Sequence, residues 1–321
     1  MRFKIVDRPT EDRKRHKGNI PRLGGVAVFL AFAIPTIAVL ICSDYLTTGD
    51  IDTGHLIGFL LGGLILIAGG VVDDKFDLPP KFTVLFPIAA ALTAALVGIG
   101  PSKMTNPFGA PFEIVPWISF VFTFVWLLGM IYTTKLLDGL DGLATGVTSI
   151  GTLMIAFLAL TTVYFQPDVA LLALIAFGAL IGFMLWNFNP AQIFLGEGGS
   201  TFVGYLLGGL AIISGSKVAT ALLVVGIPAL DVFFVMWQRF RLGKPIFTRG
   251  DRLHLHHKLY DLGFSQRRVV ALYLVVAIVF GLTTLVFESW QKLIALGILG
   301  IIMIIITYRL SKSKSRPVSS P

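Results

Sequence analysis

The sequence predicts an all-α membrane protein: a polytopic bundle of about ten transmembrane helices with both termini on the cytoplasmic side. Three observations carry this. Hydrophobic residues make up 55% of the 321 and charged residues 14%, with a mean hydropathy of +0.83, which leaves too little polar surface to cover a water-soluble core. The apolar residues are gathered into stretches near the roughly 20 residues that cross a bilayer. Lys and Arg, finally, are spread unevenly over the loops between those stretches.

Taken in order, the apolar stretches lie at 24–42, 55–72, 82–100, 115–134, 143–164, 169–186, 201–215, 218–237, 269–287 and 291–308. The seventh is short, so it either draws on the glycines before it or sits where the bilayer is thinned. With the N-terminus inside, the inside segments hold 23 of the 26 Lys and Arg, and only Lys103, Lys217 and Lys292 fall outside. Cytoplasmic loops retain these residues, which fixes the orientation. A short helix is expected over Leu253 to Leu262, ended by Gly263. Residues 1–310 read as one domain, and 311–321, SKSKSRPVSSP, as a polar tail. The charged residues 1–23 hold no signal-type apolar core. Cys42 is the single cysteine, so no intrachain disulfide forms. The net charge of +8 lies in loops beside the membrane, which points to anionic lipid headgroups and phosphorylated substrates and excludes nucleic acid.

The inside loops carry the chemistry. Asp73 and Asp74 repel each other at a membrane boundary, so they need a cation, donors or open water. A hard divalent ion such as Mg²⁺, with Mn²⁺ as a substitute, suits them; a solvated turn beside Lys75 and Lys81 is the plainer alternative. Asp138 and Asp141 in DGLDG stand three residues apart, on one helical face or around one tight turn, and helix capping is the competing role. Glu197 sits in LGEGGS, where backbone N–H groups ahead of a helix can cradle phosphate oxygens. Phe194 either stacks on a nucleobase or anchors the chain in the headgroup layer. His254, His256 and His257 could hold zinc, but Arg249, Arg252 and Lys258 oppose a dication and favour a diphosphate. Arg22, between Pro21 and Gly24, is the member of the basic arm placed to face a ligand. Asp231, inside the eighth stretch, must face the bundle interior, with Arg239 or a metal-bound group as partner.

Together PRLGG (21–25), DDKFDLPPK (73–81), LLDGLDGLATG (136–146), NFNP and FLGEGGS (187–200), PALD (228–231) and DRLHLHHKLYDLGFSQR (251–267) resemble the polyprenyl-phosphate N-acetylhexosamine-1-phosphate transferases, glycosyltransferase family 4 of the WecA/TagO type, related to MraY. The resemblance covers most of the chain. It implies a plasma-membrane enzyme with a cytoplasmic active site, using Mg²⁺ to move a sugar 1-phosphate from a UDP-N-acetylhexosamine to polyprenyl phosphate, with release of UMP. It places Asp73 and Asp74 at the catalytic pair, Asp138 and Asp141 at the metal and nucleotide site, and the histidines at the sugar diphosphate. It also implies an ion held by Glu197 with Asp138 or Asp74, uracil positioned by Asp141 and Phe194, and further substrate-binding positions at Arg22, Lys81, Lys135, Arg249, Arg252 and Asp231. HLHH resembles the branch using UDP-N-acetylglucosamine. A homodimer is a candidate assembly. Relatives carry Asn where Lys135 stands, Asp where Glu197 stands, and often His and Lys at Asn189 and Gln192. Lys135 thus brings a cation to the proposed metal site, which either weakens Mg²⁺ or takes over phosphate neutralisation. The rival readings are a transporter or flippase using buried carboxylates, and a catalytically altered relative.

Overall fold

The computed structural model describes residues 6–7, 19–49, 51–104, 106, 112–162, 164–214, 217–241, 243 and 255–312. Two short strands, β1 (Val6–Asp7) and β2 (Ile20–Pro21), pair antiparallel ahead of α1 (Gly24–Cys42). There follow α2 (Thr53–Phe76), α3 (Pro80–Thr83), α4 (Leu85–Leu96), the strand pair β3 (Lys103–Met104) and β4 (Phe112–Glu113), and α5 (Pro116–Leu137). The chain continues with α6 (Leu143–Ala159), α7 (Pro167–Asn187), α8 (Gly196–Ile213), α9 (Val218–Val224), α10 (Gly226–Arg241), α11 (Leu255–Asp261), α12 (Gln266–Val286) and α13 (Ser289–Lys312).

Local chemistry sets the helix ends. Asp52 accepts the His55 N–H at 2.7 Å while its own N–H donates to His55 Nδ1, a reciprocal cap that starts α2. Pro116 and Pro167 open α5 and α7, where a missing N–H costs nothing. The short helix predicted before Gly263 is α11.

All ten expected apolar stretches fall on helices, and among the described residues six helices are individually long and apolar enough to cross a membrane: α1, α2, α5, α7, α12 and α13. The pair α9 and α10 would make a seventh span but is bent by 79°. The apolar run from Pro80 to Leu96 and helix α6 are shorter. The chain is therefore a multi-pass membrane protein. The glycines before the seventh stretch do belong to its helix, α8.

Helix α8 runs through the centre, packed against α1, α2, α5, α6, α7 and α9, and is buried over nearly its whole length. A helix wrapped in protein need not be as apolar as one facing lipid, so it tolerates Glu197, Ser200 and Thr201. Phe32 of α1 and Phe59 of α2 pack against its Phe202 and Tyr205; Tyr205 stacks on Phe59 with ring centroids 4.8 Å apart and donates its hydroxyl to Phe59 O. Toward the acidic end the neighbours meet backbone to backbone. A Cβ at Gly25 of α1 would lie 2.3 Å from Gly199 Cα, and one at Gly70 of α2 would lie 2.0 Å from Gly198 N. Small residues are what permit such approach.

Candidate active site

Those glycine contacts bring three sequence motifs to one place. The Gly24 and Gly25 N–H groups donate to Phe194 O and Leu195 O at 3.0 and 2.8 Å, and the Phe194 N–H donates to Pro21 O at 2.9 Å. Arg22 is therefore laced to the segment that leads into α8. Gly196 takes φ +74°, and a side chain there would strike Arg22 O, so only glycine fits the turn. The turn aims the Glu197 N–H at Asp74 Oδ2, 2.9 Å away, while Arg22 Nη1 lies 3.6 Å from Asp74 Oδ1.

From the other side, α5 delivers Lys135 in its last turn, and the ammonium pairs with Glu197 Oε1. Thr134 beside it donates to Ser200 O at 2.8 Å, which holds α5 against α8. Asp138 follows as α5 ends. Its carboxylate has no partner among the described residues, and burial pushes its pKa up to about 7, with the charges of Asp141, Glu197 and Asp74 adding to the shift. The acids of three separate turns thus share one electrostatic neighbourhood, tempered by Arg22 and Lys135.

Asp141 is held differently. Its Oδ2 accepts from Asn189 Nδ2 at 2.9 Å and from the Ala191 N–H at 3.1 Å. Asn189 also donates to Gln266 Oε1, and Arg267 Nε donates to Asn189 O, so the start of α12 is tied to the DGLDG turn. Buried Asn187 accepts from the Gly142 N–H and Thr145 Oγ1 and donates to Ile193 O. Gly142 makes this turn with φ +79°.

Asp73, buried at the end of α2, accepts the Leu78 N–H at 2.9 Å and lines a small cleft with Thr83, Phe86, Pro87, Glu197 and Thr201. Asp231 of α10 is 6% exposed, and its Oδ1 accepts the N–H of Leu255, the first residue of α11, at 2.8 Å. It therefore anchors the helix that carries His256 and His257. Lys81 is exposed, with its ammonium over the Phe82 ring. Arg249, Arg252 and His254 lie outside the described residues, as do the side chains of His256 and His257.

Among the described residues no three Asp, Glu, His or Cys side chains stand close enough to form a ready metal cage. The side chains present nonetheless suit a hard cation: the candidate donors are carboxylate oxygens, and Asp138 is an uncompensated acid facing other acids. Sequence reading passed over Thr134, Asn187, Gln266 and Arg267. Only Asn187 gave a usable signal, a buried amide closing an apolar helix.

The pattern of glycosyl transferase family 4 matches residues 56–215. The chain is also 30% identical over 315 residues, 95% of its length and 84% of the other's, to a probable undecaprenyl-phosphate N-acetylglucosaminyl 1-phosphate transferase of Bacillus subtilis (strain 168). The chain belongs to glycosyl transferase family 4. It is similar as well to a decaprenyl-phosphate N-acetylglucosaminephosphotransferase of Mycolicibacterium smegmatis, 31% identical over 96% of this chain and 82% of that one. An undecaprenyl-phosphate alpha-N-acetylglucosaminyl 1-phosphate transferase of Yersinia pestis is 28% identical over 85% and 74%. The stretch matching glycosyl transferase family 4 runs from α2 to the end of α8 and contains Asp73, Asp74, Lys135, Asp138, Asp141 and Glu197.

Proposed function

We propose that this family member transfers N-acetylglucosamine 1-phosphate from UDP-N-acetylglucosamine to a polyprenyl phosphate, starting a lipid-linked glycan on the cytoplasmic face of the plasma membrane. The observation that carries the reading is the meeting of Asp74, Glu197 and Asp138 with Arg22 and Lys135 where the helices α1, α2, α5 and α8 come together. The names of the relatives supply the acceptor and the sugar. The bias of Lys and Arg toward one set of loops supports ten crossings with both termini inside.

In this reading an oxygen of the acceptor phosphate attacks the β-phosphorus of the donor. The bond from that phosphorus to the oxygen bridging to UMP breaks, and UMP leaves with the electron pair. Glu197 and Asp138 or Asp74 would hold Mg²⁺, which when bound offsets charge on the diphosphate. Arg22 and Lys135 offset the remaining negative charge. Asp141, fixed by Asn189 and Ala191, presents its other oxygen toward the nucleotide, and Phe194 is the aromatic ring that would stack on the uracil. Asp231 holds α11 so that its histidines reach the sugar diphosphate. Asp73 is available as a base on the acceptor, although a phosphate monoester with a second pKa near 6 is already largely dianionic at neutral pH. Orientation of the two phosphates is the larger contribution.

The test is UMP release by purified protein given UDP-N-acetylglucosamine, polyprenyl phosphate and Mg²⁺. Release that requires all three supports the reading; no UMP with any N-acetylhexosamine donor ends it.

A further inference from the structure

A second group of charges lies at the other end of the bundle. Helices α7 and α8 meet the acidic site at Asn187 and Gly196, so Asp168 and Ser214 mark the opposite end. Lys217, the residue before α9, is 5% exposed there, Lys292 in the first turn of α13 is 6% exposed, and Asp168 is 2% exposed. Lys217 Nζ donates to Ser214 O and to Gln166 Oε1, and lies 5.3 Å from the centroid of the Tyr164 ring. Lys292 has no side-chain partner among the described residues. Two of the three cations that broke the Lys and Arg bias are therefore not solvated loop charges.

An ammonium taken out of water is costly without a counter-charge, and the two buried ammoniums stand against one buried carboxylate, Asp168, whose charge acts on Lys217. Burial pushes the Lys217 ammonium down to about 8, with Asp168 opposing the shift and Lys292 adding to it. What is missing is one anion. Partly exposed Trp290 and Tyr164 stand beside the cluster, the residue types that settle at headgroup depth. Glu288, the exposed acid nearby, is engaged by Trp290 Nε1 at 3.2 Å. A compact ammonium binds phosphate as a point charge.

We propose that Lys292 and Lys217 together bind a phosphate group at the end of the bundle opposite the carboxylates, supplied by a lipid headgroup or by inorganic phosphate. This assignment is independent of the transferase reading. The full-length protein is purified, and its thermal midpoint is followed while phosphatidylglycerol, phosphatidylcholine or inorganic phosphate is titrated. The variants are Lys292→Met, Lys217→Met, Lys292→Arg and, as a control for total charge, exposed Lys103→Met. The expected result is stabilisation by phosphatidylglycerol that Lys292→Met and Lys217→Met each shift to at least about tenfold higher lipid. Lys292→Arg and Lys103→Met should keep the wild-type midpoint concentration. A response to inorganic phosphate with the same pattern would make the free anion the ligand. If both methionine variants respond to phosphatidylglycerol and phosphate as wild type does, or wild type responds to neither, the site does not exist. Native mass spectrometry of retained lipid reads the same comparison for any variant of low thermal stability.

Discussion

A methyl group at Gly70 should dismantle the site from one helix away. In Gly70→Ala the new Cβ would sit 2.0 Å from Gly198 N and 2.1 Å from Gly198 Cα. Both are main-chain atoms, so neither can rotate aside. Ordinary contact begins near 3.4 Å, which requires α2 and α8 to part by about 1.4 Å. The Glu197 N–H to Asp74 bond, now 2.9 Å, crosses the same seam and would be lost. Overpacking of this kind costs about 1–3 kcal/mol of stability, and a misplacement near 1 Å costs on the order of 100-fold in rate. The assay is the initial rate of UMP release together with the thermal midpoint. Gly129→Ala is the control: no heavy atom lies within 4 Å of its added methyl, and alanine is about 1 kcal/mol better than glycine in a helix. It should keep full rate and an equal or higher midpoint. Wild-type rate and midpoint in Gly70→Ala would show that this seam does not hold the motifs in place.

Lys135→Met frees Glu197, and the Mg²⁺ concentration for half-maximal UMP release should fall about threefold or more; a rise would assign Lys135 to phosphate instead. Asp138 titrates near 7 in the folded chain against about 3.9 unfolded, so between those values the folded state holds more protons and its stability declines as pH rises. Divalent-free protein should then melt lower at pH 8 than at pH 6, Asp138→Asn should flatten the difference, and Mg²⁺ should raise the midpoint more at pH 8. Equal midpoints for wild type at both pH values would remove Asp138 from the acid cluster. Asp231→Ala deletes a charge-assisted bond across 24 residues and should cost about tenfold or more in kcat/KM for the UDP-sugar, with Asp231→Asn intermediate. Unchanged kinetics would mean that α11 needs no anchor.

Much of this was legible in the residues. Apolar runs located the helices, and the DDK, DGLDG and GEGGS turns announced acids held by glycine. The sequence could not show that α8 is encased, because encasement depends on which helices surround it; its glycines were read as a phosphate cradle, whereas Gly198 and Gly199 also serve as contact surfaces. Asp231 was recognisable as a buried charge, but the backbone N–H of α11 that it accepts belongs to a different segment and leaves no local pattern. Lys217 and Lys292 were counted as outer-loop charges, since burial at helix ends cannot be read from spacing. The 79° bend between α9 and α10 likewise passed as one continuous apolar run.

The main-chain seams at Gly25–Gly199 and Gly70–Gly198 also fix the rotational phase of α8. One residue inserted before Gly198 would turn the glycines about 100° around the axis relative to Glu197. Bulkier side chains would then face α1 and α2. Substitutions can be absorbed one at a time along this helix, but its length between Leu195 and Gly199 cannot drift, and homologous segments exchanged here must keep the same residue count.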